Sequence, residues 1–196
     1  LAPERRARFA SLIVREVDRL DRFVGSMLTL ARHDAAQPVH PPNGSSGGAA
    51  PAGGDTTDVR ALLDDLEALL AARAARADVR LALASDVATL AAPRGPLAQL
   101  LLNLALNAIA HSPPGATVAV HVTRDAAGAH ATVRDAGPGL PPDAADTLFT
   151  PFAPDARGTG LGLAIVRRVA DAHGWTVRGE NDPAGGARFT VTMPGG

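Results

Sequence analysis

Between Gln37 and Thr57 the chain carries Pro38, Pro41, Pro42 and Pro51 together with Gly44, Gly47, Gly48, Gly53 and Gly54, and almost no large apolar side chain. Such a stretch cannot bury enough surface to offset the entropy of ordering it, and its prolines and glycines interrupt helix and strand alike. It divides the chain into a helical module at 1–36, a flexible linker at 37–57 and a compact domain at 58–196.

In the first module Ile13, Val17, Leu20, Val24, Met27 and Ala31 recur at alternating gaps of four and three, which draws one apolar stripe along a helix. Phe9, Leu12, Phe23 and Leu28 widen that stripe, whereas Arg15, Asp18, Arg19, Asp21 and Arg22 stay off it. The pattern suits a coiled-coil or bundle seam; a helix docked on its own domain is the alternative, and the linker argues against it.

After the linker, Val59 to Ala77 is expected to be a helix capped by Thr57 or Asp58. Val79 to Ala84 alternates like a strand, and Pro96 to Ala110 is a second helix stopped by Ser112-Pro113-Pro114-Gly115. Thr117 to Thr123 and Ala129 to Asp135 form a hairpin around Asp125 to Gly128; Leu161 to His173 is a third helix; Thr176 to Glu180 and Arg188 to Met193 are the last strands. Helices and antiparallel strands in this order predict an α+β fold, a two-layer α/β sandwich and not alternating βαβ units.

Composition narrows the chemistry. The 19 basic residues nearly balance 20 acidic ones, so no overall field recruits nucleic acid or an anionic membrane, and any anion must be bound locally. All the basic residues are arginine, which removes the phosphate-gripping lysine of P-loop enzymes and Schiff-base chemistry. The absence of cysteine excludes disulfides, thiolate nucleophiles and cysteine-type zinc sites. No apolar run reaches the roughly 18–20 residues that cross a bilayer, so this chain by itself is expected to be soluble.

Three segments carry chemistry. Gln99, Asn103 and Asn107 recur every four residues on one face of an otherwise apolar helix. Buried amides without partners cost about 1–3 kcal/mol each, so they need ligand oxygens, a metal or neighbouring loops. Asp135-Ala136-Gly137-Pro138-Gly139-Leu140 ends a strand on a carboxylate and follows it with glycines that allow a sharp turn and close approach, although a plain Asp-Gly turn would look the same. Arg157-Gly158-Thr159-Gly160-Leu161-Gly162-Leu163 runs into an apolar helix, and glycine amides at a helix N-terminus bind phosphate unless the segment is only a surface loop. Its spacing is neither the dinucleotide fingerprint nor the P-loop.

Taken in order, the asparagine helix, the Asp-x-Gly-x-Gly turn, the pair Phe149 and Phe152 and the run Gly158 to Gly162 resemble the N, G1, F and G2 boxes of bacterial sensor histidine kinases, in the GHKL ATPase superfamily. Gly185-Gly186-Ala187-Arg188-Phe189 resembles the third glycine box, so the resemblance covers Asp58 to Pro194. The N-terminal helix is similar to the second helix of the family's dimerisation and phosphotransfer hairpin. The resemblance implies ATP and Mg²⁺ as ligands. Asn107 would hold Mg²⁺, with Asn103 placing water or phosphate beside it. Asp135 would accept the adenine amino proton over a floor shaped by Gly137, Gly139 and Leu140. Arg157, Gly158, Thr159, Gly160, Leu161 and Gly162 would wrap the phosphates. Residues 141–157 would form a lid anchored by Phe149 and Phe152.

The function so implied is the ATP-binding catalytic portion of a two-component sensor kinase, acting with a histidine-bearing bundle helix in a homodimer and with a response regulator receiver domain, and not with nucleic acid. Beside Trp175, where a Gly often follows the third helix, and a linker longer than usual, two departures from the family bear on the chemistry. Ala110 stands where Lys or Arg usually faces the phosphates, so either Arg157 compensates or phosphate binding is weakened. None of the six histidines combines the acidic neighbour and the helical context of a phosphoacceptor, so that histidine is expected on a preceding segment. The alternatives are a degenerate nucleotide-binding module that docks a partner, and an ATP hydrolase of the gyrase or chaperone branch; the latter needs a glutamate where Asn103 stands.

Overall fold

The computed structural model describes residues 56–142, 148–150 and 161–194. The expected bundle helix at 1–36 and residues 37–55 of the expected linker lie outside the described residues.

Strand β1 (Thr56–Asp58) leads directly into helix α1 (Val59–Ala77). Of the two capping candidates it is Asp58 that closes the helix, its Oδ1 accepting the Ala61 N–H at 2.9 Å. Asp58→Ala is expected to lower stability by about 1 kcal/mol, the usual worth of such a cap, and a denaturant titration against the parent chain checks it. Val59, Leu62, Leu63, Leu66, Leu70 and Ala74 recur every three or four residues and are buried. The helix ends on Asp78 at φ 53, a left-handed position that Asp tolerates better than most side chains.

Strands β2 (Arg80–Ser85) and β3 (Thr89–Ala91) follow, then helix α2 (Arg94–His111). The helix begins two residues before Pro96, because a proline in the first turn forfeits no intrahelical hydrogen bond. The short pair β1 and β3 was not foreseen. It is antiparallel, with Thr57 opposite Leu90, and is locked by the buried Thr57 Oγ1 donating to Ala92 O at 2.6 Å.

The hairpin is present as β4 (Thr117–Asp125) and β5 (Gly128–Arg134), with Asp125 Oδ1 accepting from Ala127 N–H in the turn. His130 hydrogen-bonds the same carboxylate and, with the Ala127 amide, holds Asp125 below its ordinary carboxylate range. Helix α3 (Gly162–Ala172), β6 (Thr176–Asn181) and β7 (Ala187–Pro194) complete the domain.

The larger sheet has the order β2-β4-β5-β7-β6, with β2 parallel to β4 and every other neighbour antiparallel. One face buries Val118, Val120, Val122, Ala131, Val133, Phe189 and Val191 under the helices. α2 is the middle helix: it packs on both α1 and α3, and Leu97, Leu100, Leu101, Leu104 and Ile109 are fully or almost fully enclosed. The result is the expected α+β two-layer sandwich. Its opposite sheet face carries small and polar side chains around a shallow cavity of about 460 Å³, lined in part by Ala82, Ala119, His121, Thr132 and Arg134 and holding none of the expected site residues.

Candidate functional site

The β5–β7 ladder explains how Asp135 is presented. Arg134 pairs with Arg188, and one step further Asp135 N–H donates to Ala187 O at 3.0 Å. The return bond does not go to a backbone carbonyl. Ala187 N–H donates instead to Asp135 Oδ1 at 3.0 Å, and Gly137 N–H donates to the same oxygen at 2.8 Å. Two amides therefore fix the rotamer of a carboxylate that is only 6% exposed, while no described residue takes up Oδ2. A fixed, charged acceptor at the end of a strand suits a planar ligand that offers an N–H.

Glycines make this approach possible. A Cβ on Gly137 would lie 2.7 Å from His111 O and 3.0 Å from Asp135 Oδ1. Gly139 has φ +81, and a Cβ there would lie 2.5 Å from Asn181 Oδ1. Leu140 is held by Asn181 through both backbone groups: Leu140 N–H donates to Oδ1 at 2.6 Å and Nδ2 donates to Leu140 O at 3.1 Å. Ala136 N–H reaches Ser112 Oγ at the end of α2.

The wall opposite is the turn between β6 and β7. Asp182 is nearly enclosed; its carboxylate meets Arg134 at 2.8 and 2.9 Å, and its Oδ1 accepts from Ala184 N–H within the turn. That fixes Gly186, at φ +85, with its backbone directly against Asp135 O.

On the helix side, Gln99 is buried and Asn103 and Asn107 are half-buried. Asn103 Nδ2 donates back to Gln99 O at 2.9 Å, which turns its Oδ1 outward. That oxygen lies 3.7 Å from the position of a Cβ on Gly162, the first residue of α3. The asparagine face of α2 therefore meets the N-terminus of α3, where amides lack partners inside the helix and the helix dipole favours an anion. Asn107, one turn further along α2 and half-buried, has no hydrogen bond among the described residues.

The structure thus brings together Asn103, Leu161 and Gly162 at one end and Asp135, Gly137, Gly139 and Leu140 at the other. Arg157, Gly158, Thr159, Gly160 and Phe152 lie outside the described residues, as does most of the expected lid; Phe149 is half-buried. Asn181 and Asp182 support the site without being expected there; Gly186 and Ala187 support it too, and the resemblance places them only in the third glycine box, with no role given. The Gly185-Gly186 doublet was the only local signal for any of them.

Residues 93–196 match the family described as histidine kinase-, DNA gyrase B- and HSP90-like ATPase. Over 190 residues the chain is 30% identical to the sensor histidine kinase ZraS of Escherichia coli strain K12, an alignment that takes in 94% of this chain and 37% of the relative. Over 193 residues it is 31% identical to the signal transduction histidine-protein kinase/phosphatase MprB of Mycolicibacterium vanbaalenii, with 93% and 37% covered. The chain thus spans 37% of the length of these curated relatives. Among solved structures it resembles a mycobacterial sensor histidine kinase MprB, with a TM-score of 0.63 and 31% identity over 72% of this chain and 97% of that one. It also resembles full-length ShkA in complex with AMPPNP, with a TM-score of 0.67 and 30% identity over 100% of this chain and 41% of that one.

Proposed function

This chain belongs to the histidine kinase-, DNA gyrase B- and HSP90-like ATPase family and carries its catalytic ATP-binding domain, and from that premise we propose that it transfers the γ-phosphoryl group of ATP to a histidine. Asp135 accepts the adenine amino proton through the oxygen left open by the Gly137 and Ala187 amides. The Gly158–Gly162 segment, with Arg157 in place of the basic residue absent at Ala110, receives the phosphates.

The observation that carries this reading is the amide of Asn103 turned toward the first residue of α3. An amide orients phosphate or water but takes no proton, so Asn103 cannot serve as the general base that hydrolysis would use at this position. Imidazole needs no strong base near neutral pH. A ring nitrogen forms the new bond to phosphorus as the bond to ADP breaks, and the ring proton passes to water. Positioning and charge neutralisation then supply the catalysis.

Among the described residues no cluster of acidic or histidine ligands is built for a metal. That fits Mg²⁺, which keeps most of its shell as water and phosphate oxygen and asks one or two ligands of the protein. Asn107 would hold it, and the ion would neutralise phosphate charge.

The acceptor histidine is placed on a bundle helix outside this chain, in a homodimer. Among the described histidines, His121 is paired with Asp86 and His130 with Asp125 and Thr192, which suits structural roles. The phosphoryl group then passes to the receiver domain of a response regulator. No described helix is long and apolar enough to cross a membrane, and the sensor-kinase reading, not that absence, is what assigns this portion to the cytoplasm.

The test supplies γ-labelled ATP to a longer fragment bearing the bundle helices. An acid-labile, base-stable phosphoprotein is expected. Nucleotide binding without such a product would overturn the kinase assignment, and vigorous ATP hydrolysis by the isolated chain would favour the hydrolase branch.

A further inference from the structure

Two features of β6 are not accounted for by packing alone. Asn181 is exposed at the end of its strand, yet its amide pairs with both polar groups of the Leu140 backbone, at 2.6 and 3.1 Å, as a neighbouring strand would. Two residues earlier, Gly179 leaves a space into which Leu148 projects. A Cβ on Gly179 would lie 2.6 Å from Leu148 Cδ2 and 2.9 Å from the Phe189 ring. Residues i and i+2 of a strand point to the same face. Leu140 and Leu148, which flank residues 141–147, are therefore both held on one side of β6.

β6 is also tied to the floor of the site. Asn181 pairs with Ala187, and Ala187 is the residue whose N–H and C=O both engage Asp135. Asp135, Ala187 and Asn181 form one row across the sheet, so displacement of the Asn181 amide is felt at the Gly139–Leu140 turn beside the carboxylate.

We infer that β6 anchors the nucleotide site: Asn181, through its two hydrogen bonds to Leu140, and Gly179, by making room for Leu148, are positioning residues for adenine binding. The role rests on the nucleotide reading of the Asp135 site. Asn181 itself touches no reacting atom. It keeps the Leu140 peptide from wandering over the pocket, so that the ligand meets a floor already formed.

The experiment compares Asn181→Ala, Asn181→Asp and Leu148→Ala with the parent chain by calorimetric titration with Mg·AMPPNP, thermal unfolding without nucleotide, and backbone amide hydrogen exchange. Asn181→Asp keeps the size and the acceptor but loses the donor to Leu140 O. Each variant is expected to bind about tenfold more weakly, the scale of one or two lost hydrogen bonds for the Asn181 variants and of a lost apolar contact for Leu148→Ala. The unfolding midpoint is expected to stay near that of the parent, and the Leu140 amide to lose protection in the Asn181 variants while β5 and β7 keep theirs. Equal affinity in parent and variants overturns the positioning role alone, as does a fall in midpoint with unchanged affinity. A parent chain that binds no nucleotide overturns the site reading itself, and this role with it.

Discussion

Asp135→Asn is expected to weaken binding of Mg·AMPPNP by about 100-fold or more, the product of a lost charge-assisted hydrogen bond and a newly opposed pair of donors. The geometry leaves the amide no escape. Oδ1 receives two backbone N–H groups, from Gly137 and Ala187, so in the variant the carbonyl oxygen must stay where Oδ1 was. The NH₂ group then takes the place of Oδ2 and faces the adenine amino group, donor against donor. Turning the side chain over would instead set the NH₂ against two backbone donors. Since the cradle keeps both its hydrogen bonds, unfolding without nucleotide should move little, and calorimetric titration beside a thermal melt separates the two readouts. An affinity equal to that of the parent would show that Asp135 does not meet the adenine.

Gly186→Ala should have the larger structural effect. A Cβ at that position would collide with Asp135 O and press on its carbonyl carbon, and the backbone sits at φ +85, where side chains other than glycine are strained. Strain and overpacking of this kind together cost about 2–4 kcal/mol. For a domain of this size that lowers the unfolding midpoint by roughly 10 °C. The damage also spoils the site, because the turn must back away from Asp135 and take the Ala187 N–H with it. Gly185→Ala is the control. Gly185 also has a positive φ, of +98, but a Cβ there meets nothing within 4 Å, so only the backbone strain remains and affinity should be largely retained. Equal midpoints for the two variants would mean that contact with Asp135 contributes nothing.

The main elements could be seen in the sequence because each rests on neighbours a few residues apart. The spacing of Val59, Leu62, Leu66 and Leu70, the alternation through Val118, Val120 and Val122, and the Ser112-Pro113-Pro114-Gly115 stop all act locally, and each element appears within a few residues of where it was expected. The β1–β3 pair escaped notice because three-residue strands have no periodicity to detect. Thr56 and Thr57 look like the end of a linker by composition, and Thr89-Leu90-Ala91 is too short to alternate. Their pairing joins segments separated in sequence by α1 and β2, and Thr57 Oγ1 bonds Ala92 O 35 positions away.

The same division runs through the site. Order and residue type along the chain single out Asn103, Asn107, Asp135 and the glycines that follow it as candidates, since each chemical group lies inside its own short motif. The chain alone also determined that phosphate, if bound, would be held without lysine. What only the tertiary structure decided is how Asp135 is made into a fixed acceptor. Its two amide partners come from the adjacent turn and from Ala187, 52 positions away, and the turn it leads into is clamped by Asn181, 41 positions from Leu140. Those distances in sequence close through the β5–β7–β6 register. A hydrogen bond between residues so far apart leaves no local pattern, because its geometry belongs to the sheet and not to either segment.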